Sequence, residues 1–325
     1  MDAKLQSNSN TAREKLLVLL GPTASGKTDL SIRLALELDA QIISGDSMLV
    51  YRGFDIGSAK PAIKERGGII HHILDILPPD AGFSMMDFLS RVKPVISELN
   101  QAGKIPLLVG GTGLYIQSLL EGYEPSLQQE DKAYRRHLEQ LAVERGRGYL
   151  HDMLMQVDPK TGRRLHTNDT RRIIRALEVH HLGGDTVSTT KAQEPVYDAY
   201  VAGLAWDRAV LYDRINQRVS LMQQQGLLAE VRSLLAEGVP PGCQAMKGIG
   251  YKELLPVIDQ PDDAPEVAAA LDKIRQNSRH FAKRQLTWYR RMPYIHWYQP
   301  SLYSSAKELE KNMLWDISRW LKNKM

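Results

Sequence analysis

A single cysteine, Cys243, occurs in 325 residues. That excludes a disulfide framework within one chain, and no zinc site built on cysteines is expected. Long apolar runs are also missing. None approaches the ~18 residues that a membrane-crossing helix needs, and mean hydropathy is -0.34. No membrane association is expected. The first fifteen residues, MDAKLQSNSNTAREK, have no apolar centre. They are read as a disordered leader over 1–15 rather than a secretory signal, and a cytoplasmic location is expected. Charge of one sign is nearly balanced: 42 Lys and Arg face 38 Asp and Glu, a net charge of +4. That total does not by itself mark a nucleic-acid binder, so the distribution of charge has to be examined. There is no internal repeat and no low-complexity tract, and the chain is expected to act as a monomer.

Short buried runs alternate with helical patterns. Leu16–Leu20 (LLVLL) is an unbroken apolar run of the kind a strand covered on both faces requires. Residues 28–38 carry apolar positions at helical spacing. Strands are predicted at Ala40–Ile43, His71–Leu77, Ile105–Val109, Ala199–Leu204 and near Ile295–Trp297. Helices are predicted at 87–100, 208–225, 227–237 and 265–291. Pro94 should kink the helix over 87–100 or mark its early part, whereas Pro265 is tolerated in a first turn. From about Ser126 to Gln193 no buried strand is evident. The pattern predicts an α/β fold: a P-loop NTPase-like, doubly wound parallel sheet with a mostly helical insertion domain. The core would comprise 16–125 and 199–300, the insertion 126–198, and a helical tail 301–325.

The segment GPTASGKT supplies Gly21, Pro22, Thr23, Ala24, Ser25, Gly26, Lys27 and Thr28. Its G-x-x-x-x-G-K-[ST] pattern lies between a buried strand and a helix, where a phosphate cradle must lie. Glycines let backbone N–H groups turn inward, and the helix N-terminus adds its positive dipole end. Lys27 brings a point charge, and the Thr28 hydroxyl can ligate Mg²⁺. The pattern does not say which phosphate compound binds, and a nucleotide such as ATP is the default. However, ATP-hydrolysing relatives of this motif commonly end a later strand in an acid. Here IPLLV runs into Gly110-Gly111-Thr112-Gly113 instead, and Asp75, on the weaker strand pattern 71–77, is one substitute.

Asp46 follows the second predicted strand, at the edge where such sheets gather ligands. A carboxylate there can accept a proton from a nucleophile beside the phosphate, or merely cap the turn SGDS at 44–47. His71 and His72 are adjacent on a strand, point to opposite faces, and are read as structural. Cys243 is assigned no role. Two segments are strongly basic. Lys160, Arg163, Arg164, Arg171, Arg172 and Arg175 share a stretch with one acid, Asp169. Between Asp272 and Arg291, Arg275, Arg279 and Lys283 form an i, i+4, i+8 stripe ending near Trp288 and Tyr289. Basic residues interleaved with aromatics suit RNA. The plainer alternative is a solvated helix with Trp288 in the core beside Ile274 and Phe281.

The segments GPTASGKT (21–28), SGDSMLVYRGFDIGSAKP (44–61), LLVGGTGLY (107–115), IGYKE (249–253) and AKRQLTWYRR (282–291), in this order, resemble the tRNA dimethylallyltransferases, from about Leu16 to Tyr298. Gly45 and Ser58 depart from the common pattern, where Val and Thr are frequent. The zinc finger of eukaryotic members is missing, which points to the bacterial type. The resemblance implies transfer of a dimethylallyl group from dimethylallyl diphosphate to N6 of adenine beside the anticodon of tRNA (position 37), with Mg²⁺. It implies that Asp46 is the general base, that Thr112 lines the reaction channel and that Arg218 binds the diphosphate, with Arg214 as an alternative. It also implies tRNA contacts in four segments. These are Asp46, Ser47, Met48 and Leu49; Arg171, Arg172, Ile173, Ile174 and Arg175; Met246, Lys247, Gly248, Ile249, Gly250 and Tyr251; and Lys283, Arg284, Gln285, Leu286, Thr287, Trp288, Tyr289 and Arg290. The rival readings are an adenylate prenyltransferase, an ATP-dependent small-molecule kinase and a non-catalytic RNA-binding module.

Overall fold

The computed structural model describes residues 13–122, 131–183 and 195–322. Most of the expected leader, parts of the expected insertion (126–130 and 184–194) and the last three residues lie outside them. Six parallel strands form one sheet: β1 (Lys15–Leu20), β2 (Ala40–Ser44), β3 (His71–His72), β4 (Ile105–Gly110), β5 (Asp198–Leu204) and β6 (His296–Tyr298), in the spatial order β3-β2-β4-β1-β5-β6. The run at the start of β1 divides by the strand period of two. Leu16, Val18 and Leu20 enter one apolar cluster with Phe88, Val92, Ile96, Ile116 and Ile274. Leu17 and Leu19 enter the other with Leu30, Leu34, Leu309 and Met313. One face is therefore covered by α1 (Lys27–Leu38) and α10 (Ala306–Lys322). The other is covered by α2 (Met85–Gln101), α3 (Gly113–Leu120) and α9 (Pro265–Tyr289).

Two expectations need correction. The predicted strand 71–77 keeps only His71–His72. Ile73 and Asp75 adopt left-handed backbone, with φ 60° and 56°, so the chain leaves the sheet. Leu77 then pairs with the turn at 49–51, donating its N–H to Val50 O at 2.9 Å. Pro94 neither starts nor breaks α2. It lies inside the helix and on its exposed face, where water can take the bond it cannot make.

Residues cluster into two compact units, 1–120 with 195–325, and 121–194. Within the second, α4 (Lys132–Val157), α5 (Pro159–Arg164) and α6 (Thr170–His181) enclose Leu138, Leu150, Leu154, Ile173 and Leu177. Gly146, at φ 82° and ψ 165°, kinks α4. Glu178 is fully buried there, with one oxygen 2.7 Å from Arg135 and 2.8 Å from Arg175. The rest of the first unit is α7 (Arg208–Gln224) and α8 (Leu227–Ala236) with their connecting loops. Among the described residues, no helix is long and apolar enough to cross a membrane.

Candidate active site

Strands β2, β4 and β1 are consecutive neighbours. Their parallel C-terminal ends therefore bring three loops to one edge of the sheet: 21–28 after β1, 45–49 after β2 and 111–113 after β4. Such an edge is where doubly wound sheets bind ligands. Gly26 precedes α1 with φ 88°, a conformation that costs most other residues energy. The loop is tied down from behind. Thr23 N–H donates to Gln285 Oε1 at 2.9 Å, and Gln285 Nε2 donates to Gly111 O at 2.9 Å. The Tyr289 hydroxyl lies 2.9 Å from Gly111 O and 3.1 Å from Gly21 O. Trp206 Nε1 donates to Ser25 O, and Arg214 Nε donates to Ala24 O while stacking on Trp206. Helix α9 thereby grips both the phosphate loop and the Gly111 turn. Trp206 sits in no recognisable motif, and no sequence signal marked it.

Lys27 Nζ donates to Pro22 O at 2.8 Å. Burial pushes its pKa down from 10.5 to about 8; the Arg218 cation adds to this, and the Asp46 carboxylate opposes it. Arg218, on α7, donates to Thr23 Oγ1 at 3.2 Å and to Ser58 O at 3.4 Å. Burial lowers its pKa as well, and Asp46 again opposes. Both cations therefore sense one carboxylate. Asp46 Oδ1 accepts the Met48 N–H at 2.8 Å, so it also caps its turn. Thr112 stands beside it: its Oγ1 accepts Ser47 N–H at 3.2 Å, and its own N–H reaches Gly45 O. Lys27, Arg218, Asp46 and Thr112 are thus assembled at the loop.

The outer side of the loop opens into a cleft of about 930 Å³ that is lined by 24–29, by parts of 55–66, and by Arg214, Arg218 and Leu221. Asp75 also lines it, but it is engaged by Lys60 and by Arg66. Among the described residues, no three His, Cys, Asp or Glu side chains form a metal cage. Ser25, Thr28 and Asp29 are oxygen donors flanking Lys27 in the cleft. That sparse set fits a Mg²⁺ carried mainly by phosphates and water.

The segments proposed to touch RNA prove to be two-sided. Ile173, Ile174, Met246, Gly250, Tyr251, Gln285 and Tyr289 are buried. The side chains of Ile173, Ile174, Met246, Tyr251, Gln285 and Tyr289 pack inward and present almost no surface, and Gly250 offers only backbone. Arg171, Arg172, Lys247, Lys283, Arg284, Thr287 and Arg290 are exposed; Ser47, Met48, Leu49, Arg175, Gly248, Ile249, Leu286 and Trp288 are half-buried. The basic stripe on α9 also shrinks. Arg275 bonds Ser220 and Asp272, and Arg279 bonds Asn216, so both brace α7 and leave Lys283 outward.

The IPP transferase family model matches residues 49–292, and an isopentenyl transferase model matches 14–75. A Bacillus cereus tRNA dimethylallyltransferase is 47% identical over 289 residues, 88% of this chain and 90% of that protein. The solved structure of a Bacillus halodurans tRNA isopentenylpyrophosphate transferase has a TM-score of 0.70 at 38% identity, covering 95% of this chain and 98% of that one. A eukaryotic dimethylallyltransferase acting on tRNA aligns at TM-score 0.81 and 24% identity over 96% of this chain and 80% of its own, a likeness of fold alone. With three quarters of its length under one family model and relatives near half identity, the chain belongs to the IPP transferase family.

Proposed function

We propose that this protein transfers a dimethylallyl group from dimethylallyl diphosphate to N6 of the adenine beside the anticodon of tRNA, releasing diphosphate. One observation carries the reading. An anion cradle with two half-buried cations, Lys27 and Arg218, shares its sheet edge with a carboxylate, Asp46, that both cations sense. An ordinary ATP hydrolase commonly ends a strand after the phosphate loop in an acid, and here β4 runs into Gly111-Thr112-Gly113 instead. The names of the Bacillus relatives support the same substrates.

The diphosphate would lie against the 21–28 backbone, Lys27 and Arg218. As the bond from C1 to oxygen breaks, negative charge grows on the leaving group, and these preorganised donors stabilise it. The allylic C1 bears positive charge, so the weakly nucleophilic adenine N6 suffices to form the new C–N bond. N6 then gives its proton to the Asp46 carboxylate. Mg²⁺, when held by the diphosphate with Thr28 and Asp29, would neutralise part of the leaving charge. To reach the cradle the adenine must leave its stack, at a cost of a few kcal/mol. The exposed Lys247, Lys283, Arg284 and Arg290 would grip phosphates of the stem-loop, and Arg171 and Arg172 of the helical unit would offer phosphate contacts of their own.

The test uses labelled dimethylallyl diphosphate, Mg²⁺ and either unmodified tRNA or AMP. Label should enter tRNA alone. Label in AMP would instead favour a free-nucleotide prenyltransferase, and label in neither would remove the reading.

A further inference from the structure

Glu230 belongs to none of the sequence motifs, yet it anchors the wall of the diphosphate cleft. It lies on α8, whose Leu227, Leu228, Val231 and Leu234 pack into the core. Its carboxylate faces the loop at 55–58. Oε2 accepts the N–H groups of Asp55 at 3.1 Å and Ile56 at 2.6 Å. Oε1 accepts the Gly57 N–H at 3.2 Å and the Tyr251 hydroxyl at 2.7 Å. That hydroxyl in turn is hydrogen-bonded to the backbone of Ser58. Four successive residues are thus held through one carboxylate and one phenol. A side chain at Gly57 would begin 2.5 Å from the Tyr251 ring.

The consequence reaches the reacting end. Ser58 O accepts from Arg218, whose other nitrogen bonds Thr23 in the phosphate loop. Asp55, Ile56, Ala59 and Lys60 line the cleft on the same wall. A carboxylate that merely supported the fold could be placed anywhere behind the loop. This one fixes the peptide that holds the arginine. We propose that Glu230, acting through Tyr251 and the 55–58 loop, is a positioning residue that sets Arg218 on the diphosphate. The proposal rests on the reading that the P-loop cleft holds the diphosphate of a prenyl donor.

Glu230→Gln places an N–H₂ donor against backbone N–H groups and loses one or more charge-assisted bonds. The Kd for inorganic diphosphate with Mg²⁺, and KM for the prenyl donor, should each rise about tenfold. KM for tRNA should not move. In an Arg218→Ala background, Glu230→Gln should add less than about twofold, because its effect runs through that arginine. Tyr251→Phe keeps the carboxylate bonds and should give about a threefold rise with the same dependence on Arg218; it carries the test if Glu230→Gln does not fold. Effects that multiply independently of Arg218, or an unchanged diphosphate Kd, overturn the proposal. A wild-type protein that binds no diphosphate and transfers no prenyl group would instead remove the underlying functional reading.

Discussion

Replacing Gln285 by Leu separates two roles that its place in the chain allows. The side chain is 5% exposed and bridges Thr23 N–H to Gly111 O. Leucine fills similar space, so no large cavity forms. Gly111 O keeps the Tyr289 hydroxyl at 2.9 Å, which leaves only the Thr23 N–H orphaned. That costs about 1–3 kcal/mol, a fall in melting temperature of a few degrees for a protein of this size. The larger effect is on the donor. Freeing Thr23 means that diphosphate binding must order it again, at about 1–2 kcal/mol, which is roughly a tenfold rise in donor KM. Steady-state kinetics with the donor varied at saturating tRNA, then the reverse, read this directly, alongside a thermal melt. The expected result is a higher donor KM, with tRNA KM within about twofold. A raised tRNA KM with the donor KM intact would refute the reasoning and return Gln285 to the RNA surface.

Three other outcomes are expected. Asp46→Asn should lower kcat about 10²–10⁴-fold while tRNA affinity measured by filter binding is kept; equal losses in both would make Asp46 a binding residue. Lys27, with its pKa lowered to about 8, makes diphosphate binding pH-dependent. Its half-buried charge is a cost to the free fold that is full below about pH 8 and is relieved as pH rises from 8 towards 10.5. Bound diphosphate restores the charge, so affinity should fall up to about tenfold per pH unit above 8, with proton uptake seen calorimetrically in buffers of different ionisation heat; binding without uptake at pH 9 would exclude contact between Lys27 and diphosphate. Chelation by EDTA should abolish prenyl transfer and Mg²⁺ should restore it, without a change in the far-ultraviolet circular dichroism, because among the described residues no metal cage supports the fold; unfolding on chelation would contradict this.

The sequence revealed most about the parts built from local pattern. The β1 run, the glycine spacing of the phosphate loop and the helical periodicities are short-range signals, and the corresponding elements stand within a few residues of their expected bounds. What could not be read depends on contacts distant in the chain. Nothing local shows that Gln285 and Tyr289 turn inward onto Gly21, Thr23 and Gly111, more than 170 residues away, or that Arg275 and Arg279 bind α7 rather than solvent. The short β3 failed for a related reason. HHILDIL has the composition of a strand, but Ile73 and Asp75 take left-handed backbone as the chain turns to meet 49–51. Glu230 is the clearest case. Its four bonds are all tertiary, so its type and spacing in α8 look like any helix-surface acid.

Digesting the reacted tRNA to nucleosides and locating the product by mass spectrometry tests the central claim most directly. The account predicts N6-(dimethylallyl)adenosine at the adenine beside the anticodon, dependent on Asp46. A prenyl group on any other atom or position, or a product formed equally well by Asp46→Asn, would contradict it.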